Sequence, residues 1–162
     1  TNALFSDDTK YMASGLNILG IPIEEKQDAS RFVVHGKGGI IPVNQANLFI
    51  GNAGTAMRFL TAMLTLGNGV YEIDGVIRMR QRPIQDLLDG LRQLGAGVVS
   101  KNNDGCPPVV IRGKGLSGGL AVARAAKAPS ATATIATKCV CWRSASRSKS
   151  CARRSRACPK AR

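Results

Sequence analysis

Apolar residues recur at helical spacing in three stretches of this chain. Tyr11, Met12, Leu16 and Leu19 follow the polar run Ser6-Asp7-Asp8-Thr9 and stop at Gly20. Serine caps the free N–H groups of a helix start, acids there suit the helix dipole, and glycine ends helices readily. The pattern therefore predicts a first helix between these signals. A second is predicted over Thr55–Leu66. A third carries Ile84, Leu87, Leu88, Leu91 and Leu94 on one face, with Pro83 at its first position and Gly95 as its stop. Between them, Ile21–Glu25 and Arg31–His35 read as two strands joined by a polar turn. Asn47–Ile50, Val70–Asp74, Gly97–Ser100 and Pro108–Arg112 read as further strands. Gly51–Gly54 and Gly67-Asn68-Gly69 read as turns.

The pattern repeats. Leu16-x-x-Leu19-Gly20 returns as Leu91-x-x-Leu94-Gly95, an offset of 75; Val33-Val34 returns as Val109-Val110, an offset of 76; Gly36-Lys37-Gly38 returns as Gly113-Lys114-Gly115, an offset of 77. Each unit reads helix, strand, polar turn, strand, Gly-Lys-Gly. The expectation is an α/β fold of repeated units, roughly 4–46 and 47–120.

Charge divides the chain at the same place. The net charge is +13, but residues 1–120 hold 12 Lys/Arg against 10 acids, whereas residues 121–162 hold 11 Lys/Arg and no acid. The body is near neutral, and the basic character belongs to a tail of Ala, Ser, Arg, Thr and Cys with no apolar periodicity. Such a composition buries too little to offset ordering entropy. A nucleic-acid partner would rest on this tail alone. Cys106 lies in the body, and Cys139, Cys141, Cys151 and Cys158 lie in the tail. With His35 as the one histidine, no zinc-type spacing results, and neither a metal site nor a disulfide framework is expected. No stretch is long and apolar enough to span a membrane, and no signal-peptide pattern is present, so the expected location is the cytoplasm. The chain starts at Thr1 and runs straight into the first helix signal, so the expectation is that a natural start lies upstream.

Two motifs carry candidate chemistry. In Gly51-Asn52-Ala53-Gly54-Thr55-Ala56-Met57-Arg58 a strand ends, glycines turn the chain and a helix begins. Free N–H groups at such a start suit a phosphate or carboxylate. Asn52 adds an amide, and Arg58 either faces the same ligand or pairs with a structural acid. The alternative is a plain glycine turn. In Arg78-Met79-Arg80-Gln81-Arg82-Pro83, the residue before proline favours an extended conformation. An extended run would put Arg78, Arg80 and Arg82 on one face with no neighbouring acid. Guanidinium suits bidentate contact with carboxylate or phosphate; the alternative is a solvated cationic loop. Both motifs sit at strand-to-helix turns, as on successive α/β units. A ligand with more than one anionic group would fit.

GNAGTAMR, then DG-x-x-RMR-x-RPI, LGA and CPP, with the SDDT-x-YM start, resembles the 5-enolpyruvylshikimate-3-phosphate synthase family. The resemblance runs from about Leu4 to Gly119. It implies two domains of three α/β units each around a pseudo-threefold axis, an inside-out barrel of which this chain holds an incomplete first domain. It implies transfer of the enolpyruvyl group of phosphoenolpyruvate to the 5-hydroxyl of shikimate 3-phosphate, without a cofactor, by a full-length enzyme that is a monomer. By position, Gly54 lies against phosphoenolpyruvate, Arg82 binds its anionic groups, and Asn52, Thr55 and Arg58 shape the pocket. None of these is a catalytic acid or base. The family's proton-transfer groups and its N-terminal Lys-Ser segment have no counterpart in this chain, which is expected to be inactive alone.

The family usually has proline after GNAGTAMR, where this chain has Phe59. Proline in a first helical turn fixes φ; Phe59 frees it and adds bulk, so weaker binding of the inhibitor glyphosate is expected, against the alternative of a neutral packing change. The family's Ser-Ser-Gln motif is replaced by Ala126-Lys127-Ala128-Pro129-Ser130. Off-frame reading of GC-rich codons would produce the tail's composition. Two other readings stand beside the leading one: a UDP-amino-sugar enolpyruvyl transferase of cell-wall synthesis, which lacks GNAGTAMR, and a non-enzymatic basic nucleic-acid-binding protein.

Overall fold

A computed structural model describes residues 3–117 together with 120, 121, 140 and 141. Helix α1 spans Asp7–Ile18. Ser6 caps it through a capping box, with Ser6 Oγ accepting from the Thr9 N–H at 3.4 Å and Thr9 Oγ1 accepting from the Ser6 N–H at 3.0 Å. Strands β1 (Ile23–Lys26) and β2 (Arg31–Val34) follow as an antiparallel hairpin, as the pattern predicts.

The second unit is larger. It runs β3 (Gln45–Phe49), α2 (Gly54–Leu64), β4 (Asn68–Asp74), a 3-10 turn over Met79–Gln81, α3 (Gln85–Gln93), β5 (Gly97–Ser100) and β6 (Val109–Lys114). Its sheet has the order β3-β4-β6-β5, with β3 and β4 parallel and the other pairs antiparallel. The period-2 pattern explains which face is buried. Ala46, Tyr71, Ile111 and Val98 lie in register across the four strands, as do Leu48, Ile73, Val109 and Ser100, and all are buried. Met57, Leu60 and Leu64 of α2 and Leu88 and Leu91 of α3 close that layer. Alpha-1 reaches it at Gly15, where a Cβ would stand 3.1 Å from Leu60 Cδ1. The sequence α-β-β thus occurs twice, and Gly20 and Gly95 end the two helices with φ of +81° and +87°, where glycine is favoured.

Four expectations change. Pro83 stands outside α3, because the Ile84 N–H is taken by the Gly105 carbonyl at 2.9 Å and Ile84 itself becomes the cap. Alpha-2 stops at Leu64 rather than Leu66, and the Thr65 hydroxyl bonds back to the Ala62 carbonyl at 2.7 Å. Asn68 and Gly69 belong to β4 instead of a turn; Gly69 lies opposite Gly113 with no room for a Cβ beside Asn44. Leu94 caps α3 and is half-buried. In the basic tail only Ala121 and Val140–Cys141 are described; β7 (Leu120–Ala121) and β8 (Val140–Cys141) form a two-residue antiparallel pair, and the remaining tail expectations lie outside the described residues.

Candidate anion site at the carboxyl ends of two parallel strands

Parallel strands deliver their following turns to the same edge of a sheet, and ligands of α/β folds gather there. Beta-3 and β4 end side by side. The Ile50 N–H donates to the Asp74 carbonyl and the Val76 N–H to the Gly51 carbonyl, both at 3.0 Å. The two sequence motifs begin at these two ends, so residues some twenty positions apart share one site.

Gly51 turns the chain with φ +55°, and the Tyr11 ring of α1 occupies the space a Cβ would need. That contact seats the start of α1 beside the start of α2. Alpha-2 has no side-chain cap, and none of the described residues accepts from the N–H groups of Gly54, Thr55 and Ala56. Gly54 lets the second motif approach: a Cβ there would stand 2.9 Å from Arg82 Nη1. The result is a cavity of about 550 Å³ lined by Asp8, Asn52, Gly54, Thr55, Arg58, Phe59 and Arg82.

Asn52, Gly54, Thr55, Arg58, Phe59 and Arg82 therefore line one cavity, whereas Arg78 and Arg80 do not. The chain from Arg78 to Arg82 is not extended; Met79–Gln81 makes a 3-10 turn that buries Met79. The three arginines do not share a face. Arg80 pairs with Asp74, an acid overlooked in the sequence, through Nε to Oδ1 at 2.9 Å and Nη2 to Oδ2. These hydrogen bonds from Arg80, and one from the Gly75 N–H, hold the Asp74 carboxyl below the ordinary aspartate range against a smaller opposing effect of burial. Arg78 is exposed and does not line the cavity. Arg82 does, and among the described residues its guanidinium has no hydrogen-bonded or ion-paired partner. Among the described residues Arg58 pairs with no acid; its Nη2 donates to the Pro83 carbonyl at 3.0 Å, tying α2 to the segment that carries Arg82. Phe59 is the sixth residue of α2, beyond its first turn, so the expected effect on a first-turn φ does not apply. A proline at this point would lack the N–H that an uninterrupted helix uses. Phe59 is 64% exposed at the cavity's rim.

Asp8 completes the lining. The sequence marks it only as a helix-start acid. Its place at the site follows from the packing of Tyr11 on Gly51, which no spacing within one element reveals.

The profile of the family EPSP synthase (3-phosphoshikimate 1-carboxyvinyltransferase) matches residues 1–140. The chain belongs to the EPSP synthase family. A 3-phosphoshikimate 1-carboxyvinyltransferase of Shewanella denitrificans is 52% identical over 120 residues, which are 74% of this chain and 28% of that protein. The chloroplastic enzyme of Petunia hybrida is also 52% identical, over 73% of this chain and 24% of its own length. EPSP synthase of Acinetobacter baumannii superposes with a TM-score of 0.63 at 28% identity, covering 70% of this chain and 26% of that structure. The chain thus spans about a quarter of the length of these EPSP synthases. The likeness extends to the mixed α/β architecture, and the UDP-amino-sugar and nucleic-acid readings find no support in it.

Proposed function

We propose that this chain forms the phosphoenolpyruvate wall of an enzyme that transfers the enolpyruvyl group to the 5-hydroxyl of shikimate 3-phosphate. The supporting observation is the unpaired Arg82 guanidinium standing over Gly54 at the uncapped start of α2. Arg82 is exposed and has no ion-pair partner among the described residues, although Asp8 also lines the cavity; a guanidinium and a row of N–H groups both suit phosphate and carboxylate. In this reading the N–H groups of Gly54, Thr55 and Ala56 and Arg82 hold phosphoenolpyruvate. Asn52 and Thr55 add polar contacts, and Arg58 fixes Arg82's segment through Pro83. The shikimate 5-hydroxyl oxygen bonds to C2 of phosphoenolpyruvate, losing its proton, while C3 gains one; loss of a C3 proton and of phosphate from that adduct then restores the double bond. The residues here bind and orient; none moves a proton.

The same reading takes residues 1–120 as an incomplete first domain of two repeats, 4–46 and 47–120, and the full-length enzyme as a cytoplasmic monomer without a cofactor. Residues 121–162 form a basic segment apart from it, although the family match runs on to residue 140. Glyphosate, a small phosphonate, would enter the same cavity and meet Phe59.

Titration of the 15N-labelled chain with phosphoenolpyruvate tests the site. The amides of Gly54, Thr55 and Ala56 are expected to shift in a saturable way, and Arg82→Ala to abolish the shift. Glyphosate is expected to shift the same amides in the chain more strongly once Phe59 is replaced by Ala. Unperturbed amides at millimolar phosphoenolpyruvate would refute the reading.

A further inference from the structure

Arg82 is only as useful as its placement, and the segment that places it is short. Beta-4 ends at Asp74, the chain turns at Gly75, and Arg82 follows one 3-10 turn later in an extended conformation (φ −92°, ψ 121°). Besides the bond from Arg58 to the Pro83 carbonyl, three tethers hold this segment. The Val76 N–H is bonded to the Gly51 carbonyl, at the root of the other motif. The Met79 side chain is buried in the core. The third is polar: Asp74 receives the Gly75 N–H on Oδ1 at 2.7 Å and grips Arg80 with both oxygens.

We infer that Asp74 and Arg80 form a positioning pair, which sets the approach of Arg82 to the Gly51–Gly54 turn and keeps the Arg80 charge out of the anion site. The inference rests on Arg82 being the anion ligand. The pair joins the last residue of β4 to the middle of the 3-10 turn, two residues before Arg82. Its two-pronged contact fixes an orientation, where a lysine would supply only a point charge. The same contact engages Arg80, a cation that would otherwise be free to compete for the ligand. Of the three closely spaced arginines, Arg80 is committed to an acid, Arg78 is outside the cavity, and Arg82 alone enters it. Asp74 and Arg80 touch no ligand in this arrangement. They act through Arg82.

Three measurements on the 162-residue chain test the pair in Asp74→Asn, Arg80→Gln and Arg80→Lys: thermal midpoint, phosphoenolpyruvate affinity, and the order of the Arg82 side chain without ligand, read from its Nε–Hε heteronuclear NOE. Arg80 is exposed and Asp74 half-buried, outside the apolar core, so all variants are expected to fold, with the thermal midpoint reporting any loss. Asp74→Asn and Arg80→Gln are expected to bind phosphoenolpyruvate about tenfold more weakly and to lose Arg82 side-chain order. Arg80→Lys is expected to lie between them and the parent. Parent-like order of Arg82 in both Asp74→Asn and Arg80→Gln would overturn the inference. So would an affinity loss accounted for entirely by the unfolded fraction. Should the parent itself not bind phosphoenolpyruvate, the proposed function fails, whereas the positioning role still stands or falls on the Arg82 order.

Discussion

At the scale of single residues, Gly54 does the most with the least. Its lack of a side chain exposes the first N–H groups of α2 and admits Arg82 Nη1 to within 2.9 Å of where a Cβ would be. Replacing Gly54 with Ala leaves the fold intact, because the clash is with the end of a flexible side chain and alanine favours a helix by about 1 kcal/mol over glycine. Arg82 must move instead. The expected outcome for Gly54→Ala is a thermal midpoint equal to or above the parent's, together with phosphoenolpyruvate affinity reduced about tenfold, a change of about 1.4 kcal/mol. Calorimetry of unfolding and a ligand titration on the same samples check it; a variant that binds as well as the parent would rule out the close approach. Residue types in GNAGTAMR were enough to suggest this anion site, since glycines and a helix start are local features. Asp74 as the partner of Arg80 was not legible, because the return of a 3-10 turn onto the strand it leaves depends on where Met79 finds its hydrophobic pocket.

At the scale of elements, local signals placed helices and strands well and their ends less well. Alpha-1 begins where Ser6 and Thr9 predict, because a capping box is satisfied within four residues. Ser6→Ala removes the acceptor for the Thr9 N–H and is expected to cost about 1 kcal/mol, read as a lower urea midpoint with an unchanged slope. A stability equal to the parent's would mean that solvent satisfies that N–H as well as Ser6 does. Alpha-3 shows the opposite case. Pro83 suits a first helical position by its φ alone, yet the Gly105 carbonyl, from the turn between β5 and β6, claims the Ile84 N–H and delays the helix. Likewise the proline rule for Arg82 was correct about Arg82 itself, which is extended, but the residues before it coil to bury Met79. Burial of a large side chain outweighs a local preference worth a fraction of a kcal/mol.

At the scale of the whole molecule, the functional edge depends on α1 and α2 packing closely over one face of the sheet. Leu60 is fully buried at that junction, against Gly15 of α1. Truncating it to Ala leaves a cavity between the helices and is expected to destabilise the chain by about 2 to 5 kcal/mol. The loss should carry to the site, because α1 brings Tyr11 to Gly51 and Asp8 to the cavity. Equilibrium unfolding followed by amide exchange at Gly54 checks both parts. A stability loss below about 1 kcal/mol would show that the interface collapses to fill the space.

The sequence by itself determined the family, the α/β class, the repeated helix–strand–strand unit and the residue types that line the candidate site. Each of these is carried by contiguous motifs or by periodicity, which operate over a few residues. Tertiary structure alone decided that the two motifs meet at one edge of the sheet, that Asp8 joins them, and that Arg82 is left free while Arg80 is taken. Those outcomes depend on which strands pair and which side chains are buried. They join residues distant in sequence, whose proximity is set by the shared core and not by local preference.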